Sequence, residues 1–126
     1  MMSRAFVVVS ALIYLGIGIW CIVDPVGTMA DVGLVVEGAN GAIEVRAMYG
    51  GLELGMAAFL LWCAIAEERV RTGVVAVTLS IGGLGLGRML TWVALRPPDT
   101  LHPLLIPLEL SSLVIGGLLL WHTREG

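Results

Sequence analysis

Four apolar runs, each long enough to pass through the hydrocarbon core of a bilayer, take up most of this chain and leave little choice of fold. That core is about 30 Å thick and an α-helix rises about 1.5 Å per residue, so roughly 20 apolar residues make one crossing. Of the 126 residues, 58% are hydrophobic and 13% charged, where a soluble domain carries about 45–50% and about 25%. This excludes a soluble enzyme, together with disorder, a collagen repeat and a disulfide scaffold. The expected fold is all-α: a polytopic four-transmembrane-helix bundle in one membrane domain over residues 1–126.

The first span, residues 5–23, follows Arg4 and is long for a cleaved signal segment; Trp20 and Cys21 make no small-residue cleavage site and Thr28 and Ala30 only a weak one, so it reads as an uncleaved helix. Asp24-Pro25 stops it and has the chemistry to cap a short interfacial helix over 25–34, within an outer loop of residues 24–43. Gly38-Ala39-Asn40-Gly41 reads as a turn. The second span, 44–66, carries Glu44, Arg46 and Glu53 in its first half, and Glu67-Glu68-Arg69-Val70-Arg71 reads as the polar link after it. The third span, 72–95, contains Gly82, Gly83, Gly85, Gly87 and then Arg88, and Arg96-Pro97-Pro98-Asp99 closes it. Gly83/Gly87 and Gly51/Gly55 have the GxxxG spacing that favours close packing in lipid. The fourth span, 101–121, opens on Asp99-Thr100 as a cap and contains Pro103, Pro107 and Glu109. Pro107 removes a backbone hydrogen bond and frees the carbonyl of Pro103.

All seven basic residues are arginines, and they form no patch for nucleic acid. With both termini in the cytoplasm, the inner side collects Arg4, Arg69, Arg71 and Arg124 against Arg96 outside, the bias of a protein of the bacterial inner membrane with its N- and C-termini in. Trp20 and Trp92 then fall at the outer interface and Trp62 and Trp121 at the inner one. Cys21 and Cys63 lie on opposite sides and cannot pair; neither has metal-ligand spacing, and no metal or cofactor is expected.

Ionisable groups inside a span cost about 2.5–3.5 kcal/mol each unless paired or wetted. Counted from the outer helix ends, Glu53 lies about 13–15 Å deep, and Arg88 and Glu109 about 10–12 Å. Arg46 and Tyr49 share a helical stripe with Glu53; His102, Glu109, Ser112 and Gly116 form another. The expectation is one buried cluster in the outer half of the bundle, in which Glu53 and Glu109 compete for Arg88 and Glu44 and Arg46 lie nearer the surface. Arginine suits this place because its planar fork holds two carboxylates and keeps its proton. Three carboxylates against two guanidiniums leave one negative charge in excess, to be met by a proton or a cation. The alternative is that the pairs only lock helix register.

At Glu44-Val45-Arg46-Ala47-Met48-Tyr49-Gly50-Gly51 the chain resembles a family of small bacterial four-helix membrane proteins known as domain of unknown function 4345. The family pattern is an ExRAxYGG start to the second helix, a glycine-rich third helix ending near an arginine, and a last helix containing a glutamate. Here it is matched by Glu44, Arg46, Ala47, Tyr49, Gly50 and Gly51, then Gly85, Gly87 and Arg88, then His102 and Glu109. The resemblance implies the fold and the membrane location, and brings no substrate or reaction.

Two functions fit these residues. One is a module that binds a lipid, a small ligand or a partner membrane protein, or a second copy of itself, through Glu44, Arg46, Tyr49, Glu53, Arg88 and Glu109, with His102 and Ser112 as further candidates. The other is a small proton-coupled transporter that works through Glu53 or Glu109. Enzymatic catalysis is disfavoured, because no spacing marks a triad, a metal site or a phosphate loop. Haem is disfavoured because His102 and His122 fall on opposite sides.

Overall fold

The computed structural model describes residues 1–97 and 101–122. Its elements are α1 (Met2–Val23), α2 (Pro25–Asp31), α3 (Gly38–Val45), a π-helical segment (Arg46–Gly51), α4 (Leu52–Ile65), α5 (Glu67–Leu95) and α6 (His102–His122). Because α3, the π-helical segment and α4 run on without a break, four helices are long and apolar enough to cross a membrane: Met2–Val23, Gly38–Ile65, Glu67–Leu95 and His102–His122.

Asp24 both ends α1 and starts α2. Its carboxylate accepts a hydrogen bond from the Gly27 backbone N–H at 2.9 Å, and Pro25 occupies the first helical position, where a missing N–H costs nothing. The far end of α2 closes by two backbone bonds, Leu34 N–H to the Met29 carbonyl and Gly33 N–H to the Ala30 carbonyl, with Gly33 at φ 80. This is a Schellman closure, and glycine takes its left-handed position without strain. Met29 is buried against Cys21 and Val45, which ties the short helix to the long ones.

Two boundaries differ from those expected. Residues 38–41 form the first turn of α3 instead of a turn, because local glycine preference gives way once a long helix can continue through it. Likewise Glu67–Arg71 is not a link. Ala66 alone breaks the chain, at φ −122 and ψ 134, and Glu67 and Glu68 fall in the first turn of α5, where carboxylates face the positive end of the helix dipole. Arg4 on α1 pairs with Glu67, and the Arg69 guanidinium lies 4.1 Å over the Trp62 ring. The expected cap at Asp99-Thr100 lies outside the described residues.

Close approaches set the register. A methyl on Gly73 of α5 would meet Val7 of α1 at 2.9 Å and Cys63 of α4 at 3.0 Å, while Tyr14 of α1 donates to Ser80 of α5 at 2.8 Å. Hence α1 and α5 run parallel, with the same offset at both contacts. Gly50 sits under Ile22 and Gly18 under Leu54, so α4 runs against them. Gly82 packs on Leu113, Gly85 on Glu109 and Gly116 on Thr78, so α6 runs antiparallel to α5. Trp20 and Trp92 therefore share one end of the bundle, and Trp62 and Trp121 the other. The fully buried side chains Val7, Leu60, Cys63, Val74 and Val77 fill the centre between α1, α4 and α5.

The glycines that let helices touch are not those of the GxxxG pairs. Gly55, Gly83 and Gly87 have open space where a Cβ would stand, and Gly51 meets only the Arg46 carbonyl of its own helix. GxxxG spacing marks a helix face but not the direction in which it points: on α5, Gly73 faces α1 and α4, while Gly82 and Gly85 lie on the opposite side, facing α6.

Candidate functional site

In an α-helix each Cα–Cβ bond tilts toward the helix N-terminus. On the antiparallel pair α5 and α6 this aims Arg88 and Glu109 at each other, with Glu109 level with Gly85 and Arg88 nearly one turn further along α5. A methyl on Gly85 would lie 2.8 Å from Glu109 Cβ and 3.1 Å from the Leu110 backbone nitrogen, so the absence of that methyl brings the two backbones together. Across this contact Arg88 Nε donates to Glu109 Oε2 at 2.9 Å and Oε1 at 3.1 Å, and Nη2 donates to Oε1 at 2.9 Å. The side chains keep 19% and 12% of their exposure, which makes this the most enclosed ion pair among the described residues.

His102, at the start of α6, completes the group. Arg88 Nη1 stands 3.1 Å from His102 Nδ1. A guanidinium only donates, so Nδ1 accepts and the ring proton belongs on Nε2. Ser112 lies one turn after Glu109 on the same face, half-buried, and makes no hydrogen bond among the described residues. Pro107 sits inside α6 without ending it.

The remaining candidates belong elsewhere. Arg46 is exposed and its Nε donates to the Ile22 carbonyl at 3.0 Å, closing the last turn of α1. It opens the π-helical segment, in which the Leu52 N–H donates to the Ala47 carbonyl five residues back. Single π turns inside α-helices recur at functional sites. Glu44 and Tyr49 are exposed, without hydrogen bonds or ion pairs among the described residues.

Glu53 is half-buried on the face of α4 turned to α1, where a methyl on Gly18 would come 3.1 Å from its Cβ. It makes no ion pair among the described residues, so the expected competition with Glu109 for Arg88 does not occur: of the described carboxylates, Glu109 alone pairs with the guanidinium. The offset between α1 and α5 explains why. It sets Ile22 level with Arg88 and Gly18 level with Leu84, so Glu53 lies about 6 Å deeper than Arg88 and on another face. The single expected cluster is two groups.

Two residues named in the sequence for other reasons lie beside Arg88, a place the sequence reading did not give them. One is Gly85, the packing glycine three residues before Arg88. The other is Trp92, one turn beyond Arg88 on the same face of α5, whose indole Nε1 is buried and has no hydrogen-bond partner among the described residues. The spacings i−3 and i+4 from an arginine inside a long apolar helix were the signal that could have found them.

The family model described as Domain of unknown function (DUF4345) matches residues 2–123. The chain belongs to this family. Every element from α1 to α6 falls inside the match, so the Arg88 group, the Arg46 segment and the four long apolar helices all lie within the family's domain. No curated protein and no solved structure matches the chain.

Proposed function

We propose that this family member is a small multi-pass membrane protein of the bacterial inner membrane, one membrane domain over residues 1–126 with both termini in the cytoplasm, whose Arg88, Glu109 and His102 form a ligand-binding site in the outer half of the bundle. The observation that carries this reading is the Arg88–Glu109 pair itself, a charged group held well inside two apolar helices. Such groups are expensive in lipid and are kept where they face a partner or a polar ligand. A lipid headgroup or a small molecule arriving from the outer leaflet fits that position, and a partner's membrane helix is the other occupant of the same face. Native mass spectra of the protein released from mild detergent test it. Wild type should carry a discrete extra mass that Arg88→Ala lacks while remaining inserted. Bare spectra for both, in the same oligomeric form, would end the reading.

The alternative is a proton-coupled transporter using Glu53 or Glu109. It draws on Glu53, a half-buried carboxyl with no cation paired to it among the described residues, set against α1 beneath Gly18. Sealed vesicles in which Glu53→Gln abolishes proton-driven uptake of a cationic dye would favour it; unchanged uptake, or none in wild type, excludes that route for Glu53.

A further inference from the structure

The Arg88 group has more free hydrogen-bond donors than free acceptors. Both carboxylate oxygens of Glu109 are taken by Arg88, and His102 Nδ1 is taken by Nη1. What remains is N–H: one on each terminal nitrogen of the guanidinium, the Nε2–H of His102, and the buried Nε1–H of Trp92 that no described residue meets. A buried donor left unmet costs about 1–3 kcal/mol. Arg88 already balances the charge of Glu109, so a cation gains little here, whereas a group with several acceptor oxygens meets every free N–H.

Depth narrows the class. α5 has 29 residues, about 43 Å of helix, which exceeds the hydrocarbon core by about 13 Å. Centred in the bilayer, it places Arg88, about 10 Å from the Leu95 end, within a few ångströms of the hydrocarbon boundary, and Trp92 just above it. The glycerol and phosphate groups of the lipids begin at that boundary, level with Trp92 and within reach of the Arg88 group below it. Access is lateral, because α6 is the least buried of the four long helices and turns Leu104 and Leu108 outward beside the site, with Leu101 exposed just before it.

Resting on the reading of Arg88 as a ligand site, we infer that its ligand is the phosphodiester of an outer-leaflet phospholipid, with the Trp92 indole N–H as a specific donor to a phosphate oxygen alongside Arg88 and His102. The test uses the full-length protein in mild detergent, titrated with short-chain phosphatidylglycerol and, separately, with the matching diacylglycerol, and read by native mass spectrometry. Trp92→Phe keeps the ring and removes only the donor. Wild type should bind the phospholipid and not the diacylglycerol, and Trp92→Phe should bind the phospholipid about tenfold more weakly. If Trp92→Phe binds as wild type while Arg88→Lys and Arg88→Ala do not, the donor role of Trp92 is overturned and the broader site survives. Equal binding by all variants overturns both. Equal binding of the diacylglycerol by wild type overturns the phosphate as the recognised group.

Discussion

Arg88 reaches Glu109 only because Gly85, one turn before the arginine, lets α5 and α6 come together. The neighbours of a Cβ at Gly85 include backbone as well as side chain, with the Leu110 nitrogen at 3.1 Å, so they cannot swing aside. Gly85→Ala should therefore push the helices apart and lengthen the ion pair as well. Overpacking of this kind costs about 1–3 kcal/mol. Thermal melting in detergent should show the loss, and Gly83→Ala, with open space at its Cβ, should melt as wild type or slightly higher. Equal effects at the two positions would contradict the packing described.

The pair itself should be costly to break and cheap to replace. Removing one partner leaves an enclosed charge uncompensated, at about 3–5 kcal/mol, whereas replacing both by apolar residues of similar volume is often neutral. Arg88→Met and Glu109→Leu should each destabilise strongly, and the double variant should recover most of the loss. Reversible unfolding of all four proteins gives the coupling directly; additive losses would mean that the two side chains do not depend on each other.

Much of this was readable from the residues alone, and where reading stopped there is a physical reason. The four long apolar helices follow from run length, and Asp24-Pro25 announces both its stop and its start because capping is local chemistry. The helix starts at Gly38 and Glu67 were hidden, since glycines and charges that mark loops in water also occur in the end turns of long helices. Depth arithmetic put Arg88, Glu109 and Glu53 near one level but carried no information on which way each side chain faces around its helix. That angle decides that Glu109 takes Arg88 and that Glu53 faces α1. It depends on contacts at Gly85 and Gly18 between residues far apart in the chain.

Orientation has its own measurement. Asp31 is exposed at the end of α2, and Glu68 is exposed at the opposite end of the bundle with 78% of its side chain accessible. The native thiols Cys21 and Cys63 are 1% and 0% exposed and should stay silent toward a polar reagent. In intact cells a membrane-impermeant maleimide should label Asp31→Cys, and should reach Glu68→Cys only after permeabilisation. The reverse pattern would invert the proposed topology; labelling of both positions in intact cells would mean that both orientations occur.

The π-helical segment makes a prediction that no ordinary helix would. A π turn carries one residue more than the α-helical turn it replaces, so removing one residue there returns the helix to regular winding while both flanks keep their faces. Met48 is 56% exposed and is the natural one to remove. By contrast, deleting Ala58 from the regular helix α4 rotates everything after it by about 100° and carries Leu60, Cys63 and Ala64 out of the core. The Met48 deletion should fold and melt close to wild type, losing the hold of Arg46 on the Ile22 carbonyl, about 1 kcal/mol at this exposed site. The Ala58 deletion should fail to accumulate. Phospholipid retention should survive the Met48 deletion, because the Arg88 group is built on α5 and α6 and shares no hydrogen bond with the Arg46 segment. If both deletions fail alike, the segment is part of the packed core and not an inserted turn.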